Sequence, residues 1–500
     1  MAGDEGQLLK SPDATAAHGD GREEMEEELQ DQAARLPDDV LAGILRRVPP
    51  RWVAASRCVC RAWRDAVDGR RLLRADLLPL SFAGLFVHFD EHKFPEFLAR
   101  PSSSAAAVSG NLSFLPSASP DCGYYWQQSQ GCDWKNYNIK DHCNGLLLLH
   151  NNCVVNPATH QWNILPKGPA KRGAGNVRYR SRLVYDPTVS PYYKVVKIPT
   201  LAYYRRGEEP DPSMEESQWP PSVCKMFVYS SKSGCWEEKN FVREGDAAGT
   251  AGKIRARRSK LSAAYFRGAL YLHCQTDFLM RVSLSNNTYS VIEPPMGRNA
   301  EDYLQIKIAK SGNGLYFVAL DTSSRRDRDI CRLRVWILNE SCGQMVWMLK
   351  HDKDLKQMPC HQLFRTPVKW VLEDINCSMF RDSEFQQDNN KETTEEKFDW
   401  SSDGDIEDKN MVHHGYSLED MRDLFYDIEL LGFHPNEEIV FLTASKQTCL
   451  AYHLNGSKIE ELGNMYPKDY YWFKELANEM EHIKSFIYTP CWMQEFPGSN

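Results

Sequence analysis

The chain has 500 residues, a formal net charge of −8 and a pI near 6.0, with 42% hydrophobic and 26% charged residues. That balance suits a soluble globular protein with room for more than one domain, and it speaks against a chain built to coat nucleic acid or an anionic membrane. No apolar run is long enough to span a bilayer, and the opening MAGDEGQLLK lacks the basic-then-apolar layout of a secretory signal. Fifteen scattered cysteines without a CxxC pair read as reduced intracellular thiols. The Asn-x-Ser/Thr sequences would then never meet the glycosylation machinery.

Residues 1–34 are polar, with Glu23, Glu24, Glu26, Glu27 and Glu28 clustered, which predicts a disordered acidic tail. Over residues 35–76 the period changes to that of three short helices. Pro37 suits the first turn of a helix, and Asp38 and Asp39 place negative charge at its positive end. Val40, Leu41, Ile44, Leu45 and Val48 recur at helical spacing, and Pro49-Pro50 stops the run. A second run from Val53 to Cys58 leads into a third, in which Val59, Trp63 and Ala66 share a face and Asp68-Gly69 closes. So small a helical unit buries too little apolar surface to stand alone and should dock on something.

Leu36-Pro37, Ile44-Leu45 and Val59-Cys60-Arg61-x-Trp63-Arg64 resemble the F-box, with Trp52 a departure from the small or polar residue usual there. The resemblance implies binding to a Skp family adaptor, and through it to cullin and RING subunits. The adaptor-binding residues it implies are Leu36, Pro37, Val40, Leu41, Ile44, Leu45, Val48, Val59, Cys60 and Trp63.

Beyond an aromatic stretch and a Pro/Ser/Ala-rich loop near residues 101–120, the texture from Cys143 onward is of short strands and turns. CNGLLLLHNNCVVNPATHQWNILP is followed by strand–turn–strand units at Arg182–Pro199, Met226–Glu238, Leu279–Pro295, Arg334–Leu349 and Cys449–Leu462. Gly145-Leu146, Gly268-Ala269-Leu270-Tyr271 and Gly314-Leu315-Tyr316 precede several of them. Tyr185 and Tyr229 lie 44 residues apart, an offset expected of propeller blades. Cys143–Leu149 and Asn156–Pro166 are similar to the opening of the plant F-box-associated domain, a relative of kelch-type propellers. The expected fold is therefore α plus all-β: a three-helix F-box followed, over residues 77–500, by a propeller-like domain, with a β-sandwich as the alternative.

The polar stretch at about residues 378–414 is expected to be a disordered insertion. Within it, Asp399, Ser401, Asp403, Gly404 and Asp405 imitate a calcium loop, but Asn410 stands where the bidentate Glu is needed, so no metal is expected. Adjacent His413-His414 read as loop residues. Nucleophile-elbow, zincin, phosphate-loop and dinucleotide motifs do not occur, so no catalytic residue and no cofactor is assigned. Trp162, Trp236, Trp336 and Trp347 read as core. The basic cluster Arg255, Arg257, Arg258 and Lys260 is either a solvated loop, a nuclear-import signal or a weak substrate contact.

These features predict a non-catalytic substrate-recognition subunit of an SCF-type ubiquitin ligase, with an unidentified protein substrate, no nucleic acid and no membrane partner, in nucleus or cytoplasm. The competing expectations are an adaptor-bound scaffold that degrades nothing, and a propeller enzyme with an incidental F-box.

Overall fold

In the computed structural model the chain divides into two compact units, Met1–Pro79 and Leu80–Asn500. The structure describes residues 37–72 and 82–491, outside 102–109, 116–136, 170–176, 202–210, 256–261, 297–303, 376–427, 468–483 and shorter stretches of up to five residues. No helix among the described residues is long and apolar enough to cross a membrane.

The first unit holds helix α1 (Asp38–Leu45) and helix α2 (Arg61–Gly69). Leu41, Leu45, Val53, Ala66 and Val67 make its core, with Trp63 and Leu72 packed against it. The Pro37 carbonyl accepts from the Val40 and Leu41 N–H groups at 2.9 and 3.0 Å, so the predicted helix start is the observed one.

The second unit is mostly β and is built from four-stranded antiparallel sheets that follow one another along the chain. The first meander runs through Ile139–Cys143, Leu146–Leu149, Cys153–Asn156 and Gln161–Ile164. The second uses Val177–Val184, Lys194–Leu201, Val223–Ser230 and Cys235–Glu244, and the third Ala263–Phe266, Ala269–Cys274, Phe278–Ser283 and Thr288–Ile292. Their last strands pair in parallel over Val242–Glu244 and Thr288–Ser290, so the two meanders form one eight-stranded sheet. The fourth comprises Leu304–Ser311, Gly314–Asp321, Arg332–Ser341 and Gln344–Asp354. The fifth comprises Leu430–Phe433, Ile439–Ala444, Thr448–His453 and Lys458–Asn464, with Leu363–Arg365 added in parallel to its last strand. A sixth sheet is a seam between chain ends. Lys484–Tyr488 pairs with Gly84–His88, which pairs with Glu96–Ala99, which pairs with Val371–Glu373.

Apolar runs such as Leu146–Leu149 are continuous because both faces of the middle strands are covered. Leu146 and Leu148 point to a core shared with the second meander, whereas Leu147 and Leu149 point to one shared with the seam. The same parity recurs further on. Leu270 and Leu272 pack toward the second meander, Ala269 and Tyr271 toward the fourth. Tyr316, Val318 and Leu320 pack toward the fifth meander, Leu315, Phe317 and Ala319 toward the third. A last core joins Leu431, Phe441 and Ala451 of the fifth meander to Leu85, Val87 and Leu98 of the seam. Each sheet thus shares one core with the sheet before it and another with the sheet after it, and the sixth returns to the first. A sandwich would instead hold one core between two sheets.

Two sequence features take new meanings. The Tyr185–Tyr229 offset is no repeat: both residues belong to the second meander and face one shared core, because that meander's loops alone span the distance. Equivalence lies in the outer hairpins instead. Trp236 donates its indole N–H to the Pro166 carbonyl at 3.1 Å, and Trp347 donates to the Glu293 carbonyl at 3.0 Å. Each tryptophan sits on the last strand of its meander and clips the residues just past the last strand of the meander before. Trp336 is buried between the third and fourth meanders, and Trp162 packs at the first.

The Cys143-Asn144-Gly145 and Asn156-Pro157 segments prove to be junctions. Asn144 and Gly145 both have positive φ (45° and 87°), as a tight type I′-like turn requires. A Cβ on Gly145 would lie 2.5 Å from the Cys491 Cβ and 2.6 Å from the Thr489 carbonyl oxygen, so only glycine lets the C-terminal segment approach. Asn156, fully buried, donates to the Cys491 carbonyl at 2.9 Å.

Candidate functional site

On α1 the predicted apolar stripe splits in two. Leu41 and Leu45 turn inward, at 2% and 1% exposure, and belong to the unit's own core. Val40 and Ile44, one turn apart on the adjacent face, remain 48% and 46% exposed, and Val59, just before α2, is 64% exposed. Pro37 is exposed as well, while Cys60 and Trp63 are half-buried. Leu36 and Val48 lie outside the described residues. Among the described residues expected at the adaptor, then, Pro37, Val40, Ile44 and Val59 are the most exposed.

Polar contacts pin the framework of this surface. The Arg57 guanidinium forks onto Asp68, with Nε and Nη2 each 3.1 Å from a carboxylate oxygen, and it ties the segment before α2 to that helix's last turn. Arg70 pairs with Asp39, joining the end of α2 to the first turn of α1. The Cys60 carbonyl accepts from the Arg64 N–H at 3.1 Å and so begins α2. Leaving β-branched side chains half in water costs hydrophobic free energy, on the order of 1–3 kcal/mol for each that a partner could fully cover. The surface offers apolar side chains to a partner.

In the second unit the weakly expected substrate contacts are barely visible. Arg255 ends a short helix, Ala251–Arg255, and its side chain lies outside the description, as do Arg257, Arg258 and Lys260. The calcium-like loop and His413-His414 also fall outside the described residues. Among the described residues no group of three or more His, Cys, Asp or Glu is placed to hold a metal ion. The nine described cysteines are free thiols, and burial pushes Cys274 up to about 12, far from a reactive thiolate.

A polar constellation that the sequence reading missed lies where the first strands of different sheets meet. Lys307 and Lys310 project from the first strand of the fourth meander. Lys307 donates to the Leu431 carbonyl of the fifth meander and, at 2.9 Å, to Ser485 Oγ of the seam. Lys310 donates to Asn144 Oδ1 of the first meander, whose amide donates in turn to the Tyr185 carbonyl at 2.7 Å. His142, two residues before Asn144, is pushed down to about 4 by burial first and then by the Lys307 and Lys310 charges, so its imidazole is neutral near pH 7. Its neighbour Asp141 is pushed up to about 6 by burial, against the pull of Arg182, and accepts from the Leu183 N–H at 2.7 Å. The available signal was two lysines on QIKIAKS and a histidine on IKDHC, strands otherwise built for a core.

Residues 33–75 match the F-box-like family, so the chain carries an F-box-like domain there. Such domains in general bind a Skp-type adaptor. No curated protein matches the chain. Among solved structures, one described as "NanB plus Optactamide" aligns at 10% identity with a TM-score of 0.18, over 55% of this chain and 48% of that one. The chain therefore spans about half the length of that protein.

Proposed function

We propose that this protein is the substrate-recognition subunit of an SCF-type cullin-RING ubiquitin ligase. It binds a Skp family adaptor through Pro37, Val40, Ile44 and Val59, with Leu41 and Leu45 holding α1 in place beneath them. The observation that carries the reading is the exposure of Val40, Ile44 and Val59 on a small unit that matches the F-box-like family. The second unit is read as a six-bladed β-propeller of the plant F-box-associated type. The cycle of six shared cores and the seam between chain ends support that architecture. On this reading the β unit holds a protein substrate and does no bond chemistry. It raises the effective concentration of a target lysine near the ubiquitin-charged enzyme. Nucleus or cytoplasm is the proposed location.

Affinity purification from cells with the proteasome blocked tests the whole reading. Recovery of adaptor, cullin and a partner protein that accumulates under the block supports it. Recovery of adaptor and cullin with a partner whose abundance does not respond would instead favour a scaffold.

A further inference from the structure

We propose that Arg178, Arg180 and Arg182, on one face of the strand Val177–Val184, form a docking row for an extended, acidic segment of a partner protein. The proposal deepens the substrate-receptor reading and rests on it only for the use to which the surface is put.

The row follows from the sequence VRYRSRLV. Alternate residues of a strand share a face, so arginines at every second position stand about 6.6–6.8 Å apart along it. The pairing with Lys194–Leu201 is unbroken and sets Arg178, Arg180 and Arg182 opposite Thr200, Ile198 and Val196. Val177–Val184 is an end strand of the eight-stranded sheet, with a hydrogen-bonded neighbour strand on one side only.

Exposure is graded along the row. Arg178 and Arg180 are exposed, whereas Arg182 is 8% exposed. Among the described residues none of the three guanidiniums takes part in an ion pair or hydrogen bond, and Arg182 Nε is buried without a partner. A buried charge without a hydrogen-bond partner is costly, and a carboxylate at this closed end of the row would offset it. Asp141 acts on Arg182 from the first meander, but it accepts from the Leu183 N–H at 2.7 Å and makes no ion pair with the guanidinium. Arg180 is held below its ordinary value by burial first, although the residue as a whole is exposed, and then by the Arg182 and Arg178 charges. Like charges are thus set side by side in a chain whose net charge is −8.

Guanidiniums take carboxylates through paired hydrogen bonds. An extended peptide repeats its side chains on one face with the same two-residue period as the row, so acidic residues at every second position meet successive arginines. Exposed pairs are individually weak, so the arginines act as a set and their grip falls with salt.

The test uses the folded full chain and two fluorescent peptides of equal charge, read by anisotropy at low and at physiological salt. One carries three glutamates at every second residue, with threonine between them; the other carries three at every third residue. Saturable binding of the first peptide at one site per chain is expected, at least fivefold tighter than the second and weaker at higher salt. The double variant Arg178→Gln, Arg180→Gln should bind it at least tenfold more weakly; both side chains are exposed, so the thermal midpoint should match the wild type. Lys353→Gln removes an exposed charge on the fourth meander and should leave binding unchanged. Arg182→Gln probes the closed end and should also weaken binding; should it fail to fold, the exposed double variant carries the test. No saturable binding by the folded wild type, equal affinity for the two peptides, or equal binding in the double variant overturns the proposal. So does an equal loss in Lys353→Gln, or tighter binding of a single-stranded oligonucleotide of the same charge. Adaptor binding is measured on the same preparations. If it persists while peptide binding is absent, the arginine row alone fails; if it is absent while the peptide binds, the ligase reading alone fails.

Discussion

Helix α1 and the strand Leu146–Leu149 look alike as sequence: short, apolar and bounded by turn residues. They end differently. In the strand all four leucines are buried, alternately against the seam and against the second meander. In α1 only Leu41 and Leu45 find a core, and Val40 and Ile44 are left about half exposed. A strand between two neighbours consumes every apolar side chain it has, whereas a helix in a small unit covers one stripe and leaves the next outward. Apolar residues at the surface of an under-sized unit are the mark of a partner; the same residues in a ring of sheets are the mark of the ring.

The largest expected effect breaks the ring. Ending the chain at residue 483 removes Lys484–Tyr488, the strand that pairs with Gly84–His88, and with it buried Tyr488 and the Cys491 contact to Asn156. The loss should exceed the whole stability of a typical domain, about 5–15 kcal/mol, and abolish cooperative unfolding of the β unit. A cooperative urea transition in the truncated protein would show that the cycle of cores is not the source of its stability.

Next comes a matched pair. Leu147→Ala empties a fully buried site between the seam and the first meander and should cost about 2–5 kcal/mol by denaturant midpoint. Ile44→Ala, at an exposed site, should change stability by no more than about 0.5 kcal/mol yet weaken adaptor binding severalfold or more. Equal destabilisation by both would erase the distinction between ring and helical unit.

A pH test separates two adjacent groups on the first strand of the first meander. Asp141, raised from 3.8 to about 6, contributes stability that is fully present below 3.8 and lost as pH rises through about 6. His142, lowered from 6.5 to about 4, contributes stability present above 6.5 and lost as pH falls through about 4. Between about pH 4 and 6 the two slopes oppose each other and nearly cancel. Asp141→Asn should therefore steepen the rise of stability with pH by up to about 1.4 kcal/mol per unit, and His142→Gln should tilt it the other way by a similar amount. His351 and His434, both lowered by burial, add a rise common to all three proteins. Parallel pH profiles for wild type and both variants would contradict the placement of this pair.

Smallest are the indole clips. Trp236→Phe and Trp347→Phe keep an aromatic body and lose one hydrogen bond to the preceding meander, about 1 kcal/mol each. The two sites lie in different meanders, so the losses should add in the double variant. Strong non-additivity would mean that the clips act through one shared element.

Much of this was legible in the sequence. The helix start at Pro37 and the run of short strands rest on local backbone rules, and local rules are readable. What was hidden depends on partners distant along the chain. The last strand sits beside the first, more than 390 residues away, and no period announces it. The Tyr185–Tyr229 spacing suggested a repeat because both are core aromatics after apolar runs, yet loops of unequal length had erased any true period. The split of Val40 and Ile44 from Leu41 and Leu45 required knowing where Val53, Ala66 and Val67 pack. The charged residues on the strands Ile139–Cys143 and Leu304–Ser311 were readable, but that His142 meets Lys307 and Lys310 was not, because the two strands lie more than 160 residues apart.

The most direct measurement is a binding titration of purified Skp-type adaptor against the full-length wild type and the double variant Ile44→Asp, Val59→Asp. Both substitutions fall on exposed side chains, so the thermal midpoints of the two proteins should agree. Placing two carboxylates in an apolar interface should weaken the complex by a hundredfold or more, equivalent to about 2.7 kcal/mol, while the wild type binds saturably at one to one. Equal affinity for the two proteins, or no binding by the wild type, would contradict the assignment of this surface.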